Sequence, residues 1–569
     1  MNDEITKLED NENKDEFFEG LKLFFLKSAK AWQAYVSYEF IKNIKLSTAQ
    51  KEIVNSFSKQ AIINGSAGSG KSIVLLYKLI KLMKENNEKK RYIYITYNKT
   101  LIDDMKKRAL LYPEFKSLYD KHDVFIGTFH QFAKNLLIEM GYKHLMNRDV
   151  TYKSIETLKG NTYRRVAGVL VDYKEGGKCY DSLTTDQKLF RTHDEGFIRD
   201  EILWMKANGY IEKESYMQCE RAGRGTVPRL TKSQRNTVFS IYEDYQKKNE
   251  NYTYGISLVD LEDYALELLR RFDELEGKAH YDAILIDETQ DLDAMQLKFL
   301  VKLNPEELVL AVDPKQRIYK RSSISYAELG IEYKGRVRNL NENFRSTKEI
   351  MKLANSLNFT DIEKDGRQIK YMNSGDKPEI YYYTLSERML DDIGKKIRRI
   401  REEHPRSTIA VITRDEKEKV TGNVRRIKQY LEQYFESIDI ERYGQKFKYN
   451  EKNPVIYTDV YNVKGLEFDY VFLLQFDKSH YPIKDKVKEL SEHTDKLRKS
   501  DQDYIELINA EKKLLYVAMS RAKKKLEIYC SGKTEDAKKN MSEFINDFER
   551  EDFLYYEVIN KRRAILKKW

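Results

Sequence analysis

Apolar and polar residues along this 569-residue chain fall into two repeating patterns. Short β-rich runs alternate with longer stretches of helical period. A first series of runs is Ala61–Ile63, Tyr92–Thr96, Val124–Thr128, Ala283–Asp287 and Leu308–Asp313. A second is Glu379–Tyr383, Thr408–Thr413, Val455–Asp459, Tyr470–Leu474 and Leu526–Cys530. Strands alternating with helical patterns predict parallel sheets covered by helices, an α/β fold. Two series predict two cores. The first series is interrupted between Thr128 and Ala283 by a long segment of mostly helical pattern, which predicts an inserted helical subdomain. The predicted organisation is a helical extension over 1–45 and a first core in two parts, 46–140 and 266–332. The insertion occupies 141–265, the second core 333–540, and a basic helix or tail 541–569.

Composition narrows the class. The chain is 41% hydrophobic, enough for several cores, and 34% charged. No run approaches the roughly 18 apolar residues that a membrane helix needs, so a soluble protein without membrane spans is expected. The acidic N-terminus (Asp3, Glu4, Glu9, Asp10, Glu12) lacks the basic-then-apolar order of a secretion signal. Cys179, Cys219 and Cys530 are odd in number and far apart. That argues against a disulfide framework or a cysteine zinc site and fits a reducing cytoplasm. The net charge of +10 permits nucleic-acid binding, but solvated lysine-rich faces give the same balance. Phe24, Phe25, Trp32, Tyr35 and Phe40 in the extension suit a partner or membrane face, or packing on the protein's own core; burial is the commoner fate of such a face. A Gly/Arg-rich turn with Arg221, Arg224 and Arg229 suits contact with duplex or a partner, or a basic loop. The basic end near Lys561 suits a nucleic-acid-binding tail or a solvated helix end.

The sharpest local signal is Gly65-Ser66-Ala67-Gly68-Ser69-Gly70-Lys71-Ser72, set between an apolar run and an amphipathic one. This is the G-x-x-x-x-G-K-[ST] phosphate loop. Its glycines let backbone N–H groups close around phosphates, Lys71 reaches the β- and γ-oxygens, and the Ser72 hydroxyl holds Mg²⁺. A second piece is Ala283-Ile-Leu-Ile-Asp287-Glu288-Thr-Gln-Asp291. Here an apolar strand ends in two carboxylates at the edge where open α/β sheets bind ligands. Asp287 suits Mg²⁺, and Glu288 suits orienting and deprotonating the attacking water.

With further strings, these residues resemble the UvrD/Rep branch of superfamily 1 helicases. The resemblance runs in order from residue 46 to about 530 and implies two RecA-like cores. Leu46-Ser-Thr-Ala-Gln50 resembles the family's Q motif and implies that Gln50 reads adenine. Thr96-Tyr97-Asn-Lys99 and Gly127-Thr128-Phe-His130-Gln131 resemble two DNA-facing motifs, implying strand contacts by Tyr97, Thr128 and His130; a buried, hydrogen-bonded imidazole is the other reading of His130. Val312-Asp-Pro-Lys-Gln316-Arg-Ile-Tyr319 implies Gln316 at the γ-phosphate and Tyr319 at a base. Asn343-Phe344-Arg345-Ser-Thr347 implies Phe344 on adenine and Arg345 at the γ-phosphate. Lys464-Gly-Leu-Glu467-Phe468 implies Glu467 at the ribose. Leu515-Tyr-Val-Ala-Met-Ser-Arg521-Ala522 implies Arg521 as an arginine finger.

The implied activity is an ATP- and Mg²⁺-dependent translocase or helicase on single-stranded DNA or tailed duplex. The direction implied is 3′→5′, in repair, recombination or defence against phage. An alternative is an ATP-driven switch that remodels a partner nuclease or polymerase, engaged through the N-terminal extension. An RNA-directed motor stays open, because no motif reads the 2′-hydroxyl. Three departures stand out. Arg321 occupies the position where relatives carry a base-stacking aromatic residue. Asp459-Val-Tyr461 stands where they carry Thr-x-His. Arg345 and Lys464 are 119 positions apart, too few for the large second-core insertion of bigger relatives.

Overall fold

The first series of runs folds into one parallel sheet. Its strands are β1 (Gln60–Gly65), β2 (Arg91–Ile95), β3 (Asp123–Gly127), β4 (Ala283–Ile286), β5 (Glu307–Val312) and β6 (Val337–Leu340). Their spatial order is β3-β2-β4-β5-β1-β6. The computed structural model describes residues 46–96, 113–145, 152–177, 179–191, 193–219, 230–252, 258–275, 279–313, 315, 325–332, 334–361, 368–414, 422–439, 455–463, 466–485, 487–488, 502–560, 564–567 and 569. Side chains alternate across the sheet, as the period of two requires. Ile62, Ile93, Ile284 and Leu308 feed one core; Ile63, Tyr92, Leu285 and Val309 feed the other. Helix α1 (Thr48–Asn55), helix α2 (Lys71–Glu85) and helix α3 (Phe129–Glu139) belong to this lobe.

The interruption holds α4 (Tyr152–Leu170), α5 (Glu195–Asn208) and α6 (Lys232–Tyr252). They share their own core, with Val166, Ile198, Ile202, Met205, Val238 and Tyr245. Fully buried Lys206 of α5 meets Asp260 at 2.7 Å and Asp263 at 2.8 Å on the chain returning to the first lobe. A buried cation needs such partners, and these pin the insertion to the lobe. Helix α7 (Ala294–Lys302) packs beside it: a Cβ at Gly209 would lie 2.6 Å from Met295 Sδ.

Beyond β6 the chain enters a two-stranded pair, β7 (Glu342–Thr347) with β8 (Lys370–Asn373), and α8 (Lys348–Asn355). The second sheet contains β9 (Glu379–Tyr383), β10 (Ile409–Thr413), β11 (Ser437–Asp439), β12 (Val455–Asp459), β13 (Phe468–Leu473), β14 (Ala522–Ser531), β15 (Leu554–Val558) and β16 (Ile565–Lys567). Its order is β11-β12-β10-β13-β14-β9-β15-β16, parallel except for the last pairing. Helix α9 (Ser386–Glu403) buries Met389, Leu390, Ile393 and Ile397 against one face, and α10 (Gln502–Met519) covers the other. The two parallel sheets expected from the sequence are both present.

Two expected boundaries are corrected. Val337–Leu340 lies in the first sheet, paired with β1, so the crossing to the second lobe comes at Asn341 rather than 333. The 541–569 segment is not a helix or tail throughout. Leu554–Val558 pairs in parallel with β9, where Tyr556 stacks on Tyr381 at 4.9 Å. The Lys/Arg-rich end masked a strand whose aromatic residues complete the sheet's core. The extension over 1–45 and the turn bearing Arg221, Arg224 and Arg229 lie outside the described residues. Among the described residues no helix is long and apolar enough to cross a membrane.

Candidate active site between the two lobes

The phosphate loop joins β1 to α2 and is held open by backbone conformation. Gly68 has φ +82° and Gly70 φ +83°, a left-handed region that favours glycine. A Cβ on Gly68 would also lie 2.6 Å from Arg345 Cβ. Lys71 is 6% exposed, and its ammonium folds back on the loop. Nζ donates to Gly65 O at 2.7 Å and Ser66 O at 3.1 Å, 3.8 Å from Asp313 Oδ2. The Ser66 and Ser69 hydroxyls are buried with no hydrogen-bond partner among the described residues. A glycine-shaped turn at a helix N-terminus, with a buried ammonium and unpartnered hydroxyls, suits a phosphate chain.

Asp287 follows β4, and its amide donates to Ile95 O at 2.8 Å. Its carboxyl is pushed up to about 6, first by burial and next by neighbouring Glu288; the Ser72 hydroxyl and Lys71 act the other way. Ser72 thus lies near enough to Asp287 to favour its carboxylate, and the two suit a shared divalent cation. Glu288 has φ +51°, a strained conformation that turns its side chain out of the strand's alternation. The Gln290 side chain donates to the Glu288 carboxylate, while Gln290 Oε1 accepts from Asp313 N at 3.2 Å. Gln290 and Asp313 are site residues that motif reading passed over. Both lie inside the quoted strings, but only their contacts show their use.

Gln50 closes the adenine side of the loop. Its Oε1 accepts from Ser47 N at 3.0 Å in a capping box, and Nε2 donates to Ser69 O at 3.0 Å. An amide has two lone pairs and two N–H groups. One of each is engaged here by these bonds.

Strand register brings the second lobe to this loop. β1 and β6 run in parallel with Gly65 opposite Leu340. Leaving the sheet together, the two chains stay side by side. Phe344 N donates to Gly68 O at 3.0 Å, and Asn343 Nδ2 donates to Ala67 O at 2.6 Å. Phe344 is buried. Arg345 pairs with Glu467, whose other oxygen is buried with no hydrogen-bond partner among the described residues and suits a hydroxyl donor such as a ribose. Arg521 is fully buried. Its Nε donates to Val517 O at 3.0 Å, Nη2 to Ser520 Oγ at 3.0 Å and Nη1 to Leu466 O at 3.3 Å. Burial first, and Arg345 next, lower its pKa to about 10; Glu467 and Glu288 oppose that. Glu288 of one lobe thus acts on Arg521 of the other. Lys71, Ser72, Asp287 and Glu288 share one cleft with Arg345, Glu467 and Arg521.

The expected strand contacts divide. Thr128 caps α3: Thr128 Oγ1 accepts from Gln131 N at 3.3 Å, and Thr128 N donates to Gln131 Oε1 at 3.1 Å. His130 is half-buried, edge-on to Phe129 and Tyr264, with Nε2 3.4 Å from the Gln296 amide nitrogen. Tyr97, Gln316, Tyr319 and Arg321 lie outside the described residues. Asp459 is satisfied locally, accepting from Tyr461 N at 2.7 Å and Asn462 N at 3.1 Å. Its charge is tied into a turn.

Comparison with known proteins agrees with this geometry. Residues 46–322 match the model of the UvrD/REP helicase N-terminal domain. Residues 338–433 and 425–533 match that of the UvrD-like helicase C-terminal domain. The chain is 24% identical over 345 residues to a probable DNA helicase II homolog of Mycoplasma capricolum, across 58% of this chain and 43% of that protein. It is 22% identical over 341 residues to the ATP-dependent DNA helicase PcrA of Bacillus subtilis, across 57% and 40%. It is 24% identical over 202 residues to the exonuclease/helicase subunit RexA of Lactococcus lactis, across 33% and 16%. The match spans less than half the length of each of these relatives. With both domain models matched in order and the two lobes meeting at one phosphate loop, this chain belongs to the UvrD/REP family of superfamily 1 helicases.

Proposed function

We propose that this chain hydrolyses ATP to step along single-stranded DNA, 3′→5′, and separates duplex as it moves. The observation that carries this reading is the bipartite cleft, with Lys71, Asp287 and Glu288 on one lobe facing Arg345 and Arg521 on the other. In the proposed reaction Glu288, held by Gln290, takes a proton from the attacking water. The water's oxygen bonds to the γ-phosphorus as the bond to the β,γ-bridging oxygen breaks, releasing ADP and phosphate. Lys71, Arg345 and Arg521 neutralise charge on the transferring group. A Mg²⁺ ion held by Ser72 and Asp287 would add charge neutralisation at the β- and γ-oxygens. Phe344 and Gln50 would hold the base, Glu467 the ribose, and Gln316 the γ-phosphate. Tyr97, Thr128, His130, Tyr319 and Arg321 would line the strand, where stacking and phosphate contacts serve any sequence. Repair, recombination or defence against phage DNA would employ such a motor.

An ATPase assay titrated with single-stranded, 3′-tailed and 5′-tailed DNA at several salt concentrations tests this. Turnover should rise with single-stranded DNA, DNA affinity should fall linearly in log salt, and only the 3′-tailed duplex should open. K71A and E288Q should each lower turnover by about 100-fold or more. Equal turnover with and without DNA would sink the motor reading. The Lactococcus relative, named for both exonuclease and helicase, favours a second reading, in which the cycle remodels a partner nuclease. Unwinding restored only by a co-purified partner would favour it.

A further inference from the structure

The second lobe reaches the phosphate loop at Gly68, through the Phe344 amide, and at Ala67, through a side chain. Ala67, at the loop's apex, is 2% exposed. Its carbonyl accepts from Asn343 Nδ2 at 2.6 Å. Its amide faces the Tyr516 hydroxyl of α10, which is fully buried and has no conventional hydrogen bond among the described residues. Asn343 is itself fully buried, and its Oδ1 accepts from Arg345 N at 3.1 Å and Ser346 N at 3.2 Å. One side chain therefore fixes the backbone of Arg345 with one end and the phosphate loop with the other. Tyr516 lies five residues before Arg521 on the same chain segment and is influenced by it and by Asp313. Both arginine-bearing segments of the second lobe thus come to Ala67, the Arg345 segment touching Gly68 as well.

We propose that Asn343 and Tyr516 are positioning residues that clamp Ala67, so that the shape of the phosphate loop and the approach of Arg345 and Arg521 change together. This rests on the reading of the cleft as an ATPase site. A misplaced arginine loses stabilisation of the transition state, whereas ADP keeps its contacts with the first lobe. The clamp thus governs γ-phosphate chemistry rather than nucleotide retention. Arg345, Arg521 and Lys71 provide charge; Asn343 and Tyr516 set the distance across which it acts.

The test compares wild type, N343D and Y516F as full chains. Fluorescent ATP and ADP analogues give affinities without DNA, and steady-state assays with DNA give kcat and KM. Asn343→Asp keeps the acceptor for Arg345 N and Ser346 N but replaces the donor to Ala67 with a carboxylate oxygen. It should lower kcat about tenfold or more and change the ADP dissociation constant by less than about twofold. Y516F, which deletes one hydroxyl and keeps the ring, should lower kcat about threefold with the same split. Combined, the two should cost less than the product of their separate effects, because both act on Ala67. Wild-type kcat in both variants would overturn the clamp, as would ADP and ATP affinity falling equally. If wild type itself turns over no ATP with any DNA, the ATPase reading fails instead. The ratio of ATP to ADP affinity would still score the clamp.

Discussion

Arg345 and Glu467 are ion-paired inside the second lobe, at the edge of the phosphate loop that Arg345 is placed to serve. Glu467 also offsets the repulsion between Arg345 and buried Arg521. The pair holds both cations in place before any phosphate is present. Replacing Glu467 with Gln leaves two guanidinium groups facing each other with less counter-charge. The nucleotide-free E467Q protein should lose about 1–3 kcal/mol of stability. ATP should then raise its melting temperature more than it raises that of wild type. Calorimetry with and without nucleotide checks both; an unchanged melting temperature would count against the pair's role.

Gly68 combines a left-handed backbone with contact to Arg345 Cβ. In G68A the new methyl group must push the second lobe away or distort the loop. Nucleotide binding should fall at least about tenfold, a cost of about 1.4 kcal/mol, with circular dichroism unchanged. G141A is the control: Gly141 also has positive φ, but its added Cβ meets nothing within 4 Å among the described residues. If G68A binds nucleotide like G141A, contact between the lobes is not needed for binding.

Among the described residues Gln50 retains one N–H and one acceptor lone pair beyond its bonds to Ser47 and Ser69. An adenine edge needs that complement, and a guanine edge does not supply it. Q50A should therefore weaken ATP about tenfold and GTP much less, within the roughly 1–3 kcal/mol that a bidentate base contact is worth. Competition binding with both nucleotides reads the ratio. Equal losses would reduce Gln50 to a support for the loop.

Asp469, in β13, accepts from Thr408 N at 2.9 Å and Thr408 Oγ1 at 3.1 Å, with Lys524 at 3.4 Å and Lys523 at 3.6 Å. Burial alone would raise its pKa; Lys523, the Thr408 amide and Lys524 outweigh burial and hold the carboxyl below its usual range. A carboxyl depressed on folding stabilises above its unfolded pKa and loses that contribution as pH falls through the folded value. D469N should lose about 1–3 kcal/mol at pH 7. The gap to wild type should narrow below about pH 4. Urea titrations at pH 7 and pH 3.5 measure it, and an equal gap at both would rule out a charge effect.

The phosphate loop, the Asp287-Glu288 edge and the strand runs of both sheets were legible in the sequence. Each is a local pattern: a turn fixed by adjacent glycines, or a strand whose alternation shows within five residues. The boundary at Asn341 was not legible, because Val337–Leu340 is too short to declare which sheet it joins. The strand at Leu554–Val558 was hidden for a related reason, since it is five residues long and set between an acidic run and the basic end.

Sequence alone determined the chemistry available: which residues carry the ammonium, carboxylate and guanidinium groups, and in what order. Tertiary structure decided which of them meet. The parallel pairing of Gly65 with Leu340 sets Asn343 against Ala67, a contact 276 positions apart along the chain. Such contacts follow from strand register and crossover, which depend on how whole sheets bury their faces, and no local string encodes that.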